Sequence, residues 1–506
     1  MQPVYRDMAS DLYDRAVELH ENGRLDEAIA LYKQALQIDP GMCAVHNNLG
    51  LAYYDMRKLE DACFHYRRAL RINPSHVNAH NNLGVALKAL GRIDDAISHY
   101  QEALRLQPNH VNANLNLGVA LFDQGHFGAA ISKYKQTIAL NPLHVNAFNN
   151  LGFALETLGR VDEAIEQYRH CLAISKAHIN AHINIANCLR RKGLLDEAKE
   201  HYEEALKLKP RHSNGRLNYA CLLSEMNRHR EAIEQFAQVL RLKPHHAVGH
   251  ACIADAYMIT GDIMDAIDHY TQSLSLAPDN ADVLYNCAIA HVKNGSLEKA
   301  AKLFEECINK KGDDAESMYN LANVNMECGL LEEAVELYKQ CMTLKPNMVA
   351  AYFNCGNAYF SLNYLSEAVK CYRECLRQDP SHVKSNINLA VALKRKEDIK
   401  GALDILETIR KDDPTNVAVL INLGSCYFHE KLMKEAEKCL RAALEIEPKN
   451  QQALVNLGLL QKDQGQLAEA KEAFEKVLEE NGKNVVAEFN LADVISMEEQ
   501  GMPSPK

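Results

Sequence analysis

The sequence predicts an all-α chain of stacked helix-turn-helix repeats, and three observations predict it. A 34-residue period runs through the chain without a gap, prolines fall at one phase of that period, and apolar residues between them recur at helical spacing. The period is plain when HNNLGLAYYDMRKLEDACFHYRRALRINPSH, from His46, is set against HNNLGVALKALGRIDDAISHYQEALRLQPNH, from His80. Fourteen repeats run from Ala9 to Asn484 with no insertion or deletion, and a fifteenth begins at Val485 and continues for about one helix. Residues 1–8 read as an N-terminal tail, 485–499 as a half-repeat capping helix and 500–506 as a flexible tail.

Within each repeat the elements follow in order. A first helix of roughly 13 residues carries Gly or Ala at position 8, as at Gly50, Gly84, Ala186, Ala322 and Gly424. Position 15 is usually Gly (Gly91, Gly125, Gly159, Gly261), which suits a left-handed turn, and Asn227 and Asn363 can adopt the same conformation. A second helix of similar length has Ala at position 20 in all fourteen complete repeats, from Ala28 to Ala470. Small residues at positions 8 and 20 let the helices approach, and the aromatic at position 24 (Tyr66, Tyr100, Phe236, Tyr338) fills the space they open. Leu406 and Leu440 are the exceptions. Proline then marks the stop: eleven of the 14 prolines, from Pro40 to Pro448, sit at position 32.

Composition narrows the function. The 506 residues would mean three or four domains in a globular chain, whereas here they are one elongated array plus two short ends. A net charge of -11, spread along the length, argues against a general nucleic-acid or anionic-membrane binder. No stretch reads as a signal peptide or a membrane span, so a cytoplasmic location is expected, with nucleus or cilium open to such an array. The 15 cysteines include no CxxC pair, so neither a disulfide framework nor a zinc module is indicated.

The small-small-aromatic-Pro register resembles the tetratricopeptide repeat, over about 95% of the chain. The Trp usual at position 4 is absent throughout; His46, His80, Phe148, Leu284, Tyr352 and Asn386 stand there. The resemblance implies a right-handed α-solenoid superhelix whose first helices line a concave groove. No repeat can bury its apolar face alone, so neighbours supply the stability.

By helix geometry, positions 2, 5, 6, 9, 12 and 13 of the first helix share one surface, and by the resemblance it faces the groove. Position 6 is Asn in thirteen repeats: Asn48, Asn82, Asn116, Asn150, Asn184, Asn218, Asn286, Asn320, Asn354, Asn388, Asn422, Asn456 and Asn490. An Asn amide can pair with both the C=O and the N–H of a peptide bond, so the column suits an extended polypeptide. The alternative is a structural bond to the neighbouring helix. In repeats 9 to 11 Tyr285, Tyr319 and Phe353 occupy position 5, joined by Phe360, and these form either an apolar anchor for a partner or packing between first helices. Arg190, Arg191, Lys192, Lys384, Lys394 and Arg395 either hold an acidic segment or are solvated charges at helix C-termini.

The carboxylate clamp of chaperone-binding members is incomplete, because Gln452 and Asn456 stand where the cationic half belongs. The uninterrupted Asn ladder is similar to the superhelical arm of the O-linked N-acetylglucosamine transferase, which holds substrate polypeptides by their backbone. That resemblance covers only the arm, since the chain ends in GMPSPK where a catalytic region would follow. The expected function is a non-enzymatic scaffold, without cofactor or metal, that binds protein partners, with a second copy of the chain among the partners open to it. The alternatives are a structural subunit of a ciliary-transport, BBSome-like or anaphase-promoting assembly, and a targeting arm for a separate glycosyltransferase. The histidine column at position 34 (His76, His110, His144, His178, His212, His246, His382) cannot share one metal, as repeats are about 8–10 Å apart, and reads as turn polarity. Cys171, Cys307, Cys341 and Cys375 replace a small packing residue at position 27.

Overall fold

The computed structural model describes residues 3–499, with side chains from residue 7. Among the described residues there are twenty-nine α-helices and no strand. Most first helices span 13 residues, as in Val77–Ala89, and most second helices 14, as in Ile93–Leu106. The first helix runs Pro3–Glu21, so residues 3–8, expected as tail, continue it. Proline lacks only an N–H that the first turn would leave unpaired, and nothing in VYRDMAS interrupts a helix. Residues 500–506, expected as a flexible tail, lie outside the described residues.

The helices gather into two compact units, Met1–Ala256 and Tyr257–Lys506, the boundary falling inside the helix Ala247–Thr260. Within each unit the two helices of a repeat pack together, and the second helix packs on the first helix of the next repeat.

Each packing column has a visible cause. A Cβ added to Gly50 would lie 2.7 Å from the Tyr66 ring, and one added to Gly84 would lie 2.6 Å from the Tyr100 ring. The position 24 ring therefore rests directly on the backbone at position 8, which is why that position is never larger than Ala. Ala62 and Ala96, at position 20, are fully buried beside it. At the turn all fourteen repeats have positive φ: nine through Gly, Asn227 and Asn363 as expected, and Arg57, Glu397 and Lys431 at 64°, 67° and 59° against their intrinsic preference.

The Pro-marked stop is tied down by the histidines that the sequence reads as turn polarity. His76, His110, His144, His178, His212, His246 and His382 each accept, at Nδ1, the backbone N–H three residues on. They are N-caps of the first helices, and Asn280, Asn416, Asn450 and Asn484 do the same work in later repeats. The position that lacks Trp is also occupied to effect. His80, Asn114, His182, Arg216, His250 and Asn386 donate to the carbonyl six residues earlier, at 2.6–3.3 Å, closing the inter-repeat turn onto its helix.

The final helix, Val485–Glu499, packs on the preceding second helix through Ala487 and Val494 and leaves Val485, Val486 and Phe489 exposed. Among the described residues no helix is long and apolar enough to cross a membrane.

Candidate functional site

Within each compact unit successive first helices also touch one another in most repeats, whereas successive second helices show no comparable contact among the described residues. The first-helix surface is the tighter side of each unit, and the Asn column lies on it half-buried.

The column is bonded from repeat to repeat. Asn82 Nδ2 donates to Asn47 Oδ1 at 3.2 Å, Asn116 to Asn81 at 3.0 Å and Asn184 to Asn149 at 3.3 Å, always to position 5 of the repeat before. Where position 5 is tyrosine the hydroxyl accepts instead: Asn48 to Tyr13, Asn320 to Tyr285 and Asn354 to Tyr319, at 2.9–3.0 Å. Asn218, Asn354 and Asn388 reach position 9 of the preceding repeat, at Asn187, Asn323 and Asn357. Those three oxygens also accept the buried hydroxyls of Tyr202, Tyr338 and Tyr372, so one asparagine joins two helices and the next repeat.

The amide is thus split in function. In Asn48, Asn82, Asn116, Asn184, Asn218, Asn320, Asn354 and Asn388 the N–H side is spent between repeats, and the carbonyl side differs along the column. Asn47, Asn81 and Asn149 donate to Oδ1 of Asn48, Asn82 and Asn150. Lys462 Nζ donates to Asn490 Oδ1 at 3.1 Å. Among the described residues no donor meets Oδ1 of Asn116, Asn184, Asn218, Asn320, Asn354 or Asn388. Asn422 turns its amide back to the Ala418 carbonyl. Asn286 lies in the same column and is not without a partner, and Asn456 holds its place at position 6 without a hydrogen bond among the described residues.

The aromatic group in repeats 9 to 11 is half-buried. Tyr285 meets Phe304 edge-on at 5.8 Å, Phe353 lies 5.0 Å from the His382 ring, and Arg395 sits 4.3 Å over the Phe360 ring. Tyr319 packs 6.0 Å from Tyr338. More exposed apolar groups on the same surface lie in the first compact unit, where sequence reading did not place an anchor. Phe153 is 47% exposed with its ring tilted against that of Phe122 at 5.3 Å, and Leu51 is 37% exposed. Positions 9 and 12 carry them, and inspection of those columns alongside position 5 is the signal that finds them.

Most of the basic residues are engaged between repeats. Arg190 pairs with Glu225 at 3.6 Å, Arg191 with Glu156 at 3.5 Å, Lys192 with Asp162, and Lys394 donates to Ser425 Oγ at 2.8 Å. Lys384 has no such partner among the described residues.

Histidines pair elsewhere. His46 and His65, His80 and His99, and His182 and His201, at positions 4 and 23 of their repeats, approach Nδ1 to Nδ1 at 3.0–3.2 Å. Burial, with the neighbouring imidazole, pushes the pKa of His65 and His201 down to about 4 and lowers that of His99. Burial pushes the Cys171 and Cys341 thiols up to about 11, and Cys341 Sγ donates to the Ala315 carbonyl. Among the described residues no group of three or more His, Cys, Asp or Glu is placed to hold a metal.

The family model described as "TPR repeat" matches residues 16–57, 53–91, 254–295 and 323–363. Models described as "Tetratricopeptide repeat" match 77–110, 115–176, 177–244, 349–382, 393–458 and 451–484, and a "PPR repeat" model matches 285–312. No curated protein matches the chain. Among solved structures, MamA is 28% identical with a TM-score of 0.30, covering 32% of this chain and 95% of its own. Pseudomonas aeruginosa pilF is 22% identical with a TM-score of 0.38, covering 40% of this chain and 92% of its own. YrrB, described as a TPR protein with an unusual peptide-binding site, is 21% identical with a TM-score of 0.32, covering 36% and 95%.

Proposed function

The chain belongs to the tetratricopeptide repeat family, and from that premise we propose that it is a non-catalytic interaction scaffold that captures extended polypeptide along its first-helix surface. The observation that carries the reading is the set of unpartnered carbonyl oxygens at Asn116, Asn184, Asn218, Asn320, Asn354 and Asn388. Each is held in place by its own amide nitrogen, so a ligand N–H meets an acceptor that has already lost its rotamer freedom. Repeats roughly 8–10 Å apart, against about 3.3 Å per residue of extended chain, offer one acceptor for about every three residues. Peptide N–H groups are common to all sequences, so the oxygens bind without reading side chains, and Phe153 with Phe122 supplies an apolar contact beside them.

The test is binding to the intact chain of extended peptides selected from a random library, followed by fluorescence anisotropy. Asn116→Ala, Asn184→Ala and Asn218→Ala together are expected to weaken binding at least tenfold, at a net ~0.5–1.5 kcal/mol per bond. Asn416→Ala, Asn450→Ala and Asn484→Ala remove three helix caps and serve as the stability-matched control, with unchanged affinity expected. Equal affinity in both triple variants would overturn the reading.

A second reading rests on the same bonds. If the column serves only to join repeats, the chain is a structural subunit held by other faces, and it co-purifies with a fixed set of proteins at constant ratio rather than with varied clients.

A further inference from the structure

His80 and His99 determine each other's protonation. His80 Nε2 lies 3.0 Å from the Pro74 carbonyl oxygen, which can only accept, so that nitrogen carries the hydrogen and His80 Nδ1 presents a lone pair. His99 Nδ1, 3.0 Å away, must then donate. A neutral ring has one hydrogen, so His99 Nε2 is left as a bare lone pair without a partner among the described residues.

His99 lines a notch of about 500 Å³ between repeats 2 and 3, whose charged lining is Arg67, Arg71 and Glu102. Glu102 is committed to Arg105 through two bonds of 2.9 and 2.7 Å. Arg67 and Arg71, one turn apart on the helix Leu59–Ile72, have no ion pair among the described residues. Two guanidinium groups without an ion pair therefore share a concavity with two imidazoles, and the carboxylate in the lining, Glu102, is held by Arg105. The pattern recurs where His65 and His201 face Lys33 and Arg169, each at position 25 of the preceding repeat as Arg67 is.

We propose that the notch formed by Arg67, Arg71 and His99 binds a tetrahedral oxyanion, a phosphoryl or sulfate group, with uptake of one proton at His99 Nε2. Two guanidinium forks match the oxygens of such a group. The added proton turns the bare nitrogen from a repelling lone pair into a donor. It leaves the His99 Nδ1–H···Nδ1 His80 bond intact, and no other bond is made or broken. The charged and titratable groups facing His99 are His80, Arg67, Asp95 and Glu102, with Arg71 on the rim. Burial first, then His80 and Arg67, hold the free imidazole below its ordinary pKa, so at neutral pH the proton arrives with the anion. By linkage, affinity then rises as pH falls, with a slope of at most tenfold per pH unit for one proton.

Sulfate is the probe, because it does not titrate near neutrality. The full-length chain, labelled at histidine Cε1, is titrated across pH 5–8 in sodium sulfate and in sodium chloride of equal ionic strength, with His99→Gln assigning the resonance. The expected result is a His99 pKa about one unit higher in sulfate than in chloride, and sulfate binding that tightens as pH falls from 8 to 5, approaching about tenfold in all. Arg67→Gln with Arg71→Gln, both exposed, should abolish the difference. A His99 pKa that moves equally in the two salts, or a sulfate effect that survives loss of both arginines, would overturn the proposal. Competition by inorganic phosphate and by a phosphoserine peptide then separates a free ion from a modified polypeptide as the source of the group.

Discussion

The side-chain nitrogen of Asn354 lies 2.9 Å from the side-chain oxygen of Asn323 in the preceding repeat. The same nitrogen donates to the Tyr319 hydroxyl at 3.0 Å, and Asn323 Oδ1 also accepts from Tyr338. Both amide hydrogens of Asn354 are therefore used in joining repeats, and the asparagine column is first a mortar and only then a surface.

Asparagine-to-aspartate changes should accordingly differ along the column. In Asn354→Asp a carboxylate would face Asn323 Oδ1, which the Tyr338 hydroxyl holds in place, and a stability loss of about 2–3 kcal/mol is expected. In Asn320→Asp the inter-repeat partner is the Tyr285 hydroxyl, which can reverse and donate, and only the bond to the Glu316 carbonyl on its own helix is lost, so the loss should be smaller, about 1 kcal/mol. Urea midpoints of the two variants check this, and equal losses would show that the bonds contribute nothing specific.

Arg57, Glu397 and Lys431 hold the left-handed turn that glycine holds elsewhere. A side chain there costs roughly 1–2 kcal/mol of backbone strain, partly offset by the freedom glycine regains on unfolding. Each of Arg57→Gly, Glu397→Gly and Lys431→Gly is expected to stabilise by about 0.5–1 kcal/mol, seen as a higher Tm. Gly91→Ala, at a φ of 78°, should destabilise by a comparable amount.

Gly84 carries the Tyr100 ring, with 2.6 Å from a built Cβ to the nearest ring carbon. Repeats with Ala at this position show that a methyl can be accommodated when the ring shifts, so Gly84→Ala should cost only ~1–2 kcal/mol. Gly84→Val should cost more than 3 kcal/mol, and Tyr100→Ala, which leaves a cavity, about 3–5 kcal/mol. Differential scanning calorimetry orders the three variants, and a neutral Gly84→Val would contradict the packing.

The repeat, its turn and its stop were legible because each rests on a residue type whose physics is local: Pro at position 32, Gly at position 15, Ala at position 20. The roles of position 34 and position 4 were not. His76 as a cap and His80 as a donor to the Pro74 carbonyl depend on which ring nitrogen faces which backbone group, and periodicity carries no such information. The missing Trp read as an unfilled place, yet His, Asn and Arg serve there because each supplies an N–H to the same carbonyl. The asparagine column was visible at once, but its bond to position 5 of the previous repeat appears only when the repeats are stacked. Arg57, Glu397 and Lys431 broke the Gly rule because the two helices over-determine the turn between them.

The histidines set the acid limit of the fold. His46, His65, His99, His110, His178, His201 and His212 all have pKa values lowered first by burial. The folded chain therefore favours neutral imidazole, while the unfolded chain binds protons with a pKa near 6.5. Below that value the unfolded state holds more protons, so the stabilisation is fully present above pH ~6.5 and is lost as pH falls toward about 4, the value reached by His65 and His201. The bonds lost have a direction too, since a protonated Nδ1 on His110 or His178 can no longer cap its helix. Carboxylates held low by their partners, such as Glu163 beside Arg160 and Glu231 beside Arg228, add their own loss only at the acid end of this window. Tm measured in chloride buffers should fall between pH 6.5 and 4.5, and His65→Gln with His201→Gln should flatten that fall while lowering Tm at pH 7.5. A Tm that is constant down to pH 4.5 would mean that the imidazoles are free to ionise in the folded chain.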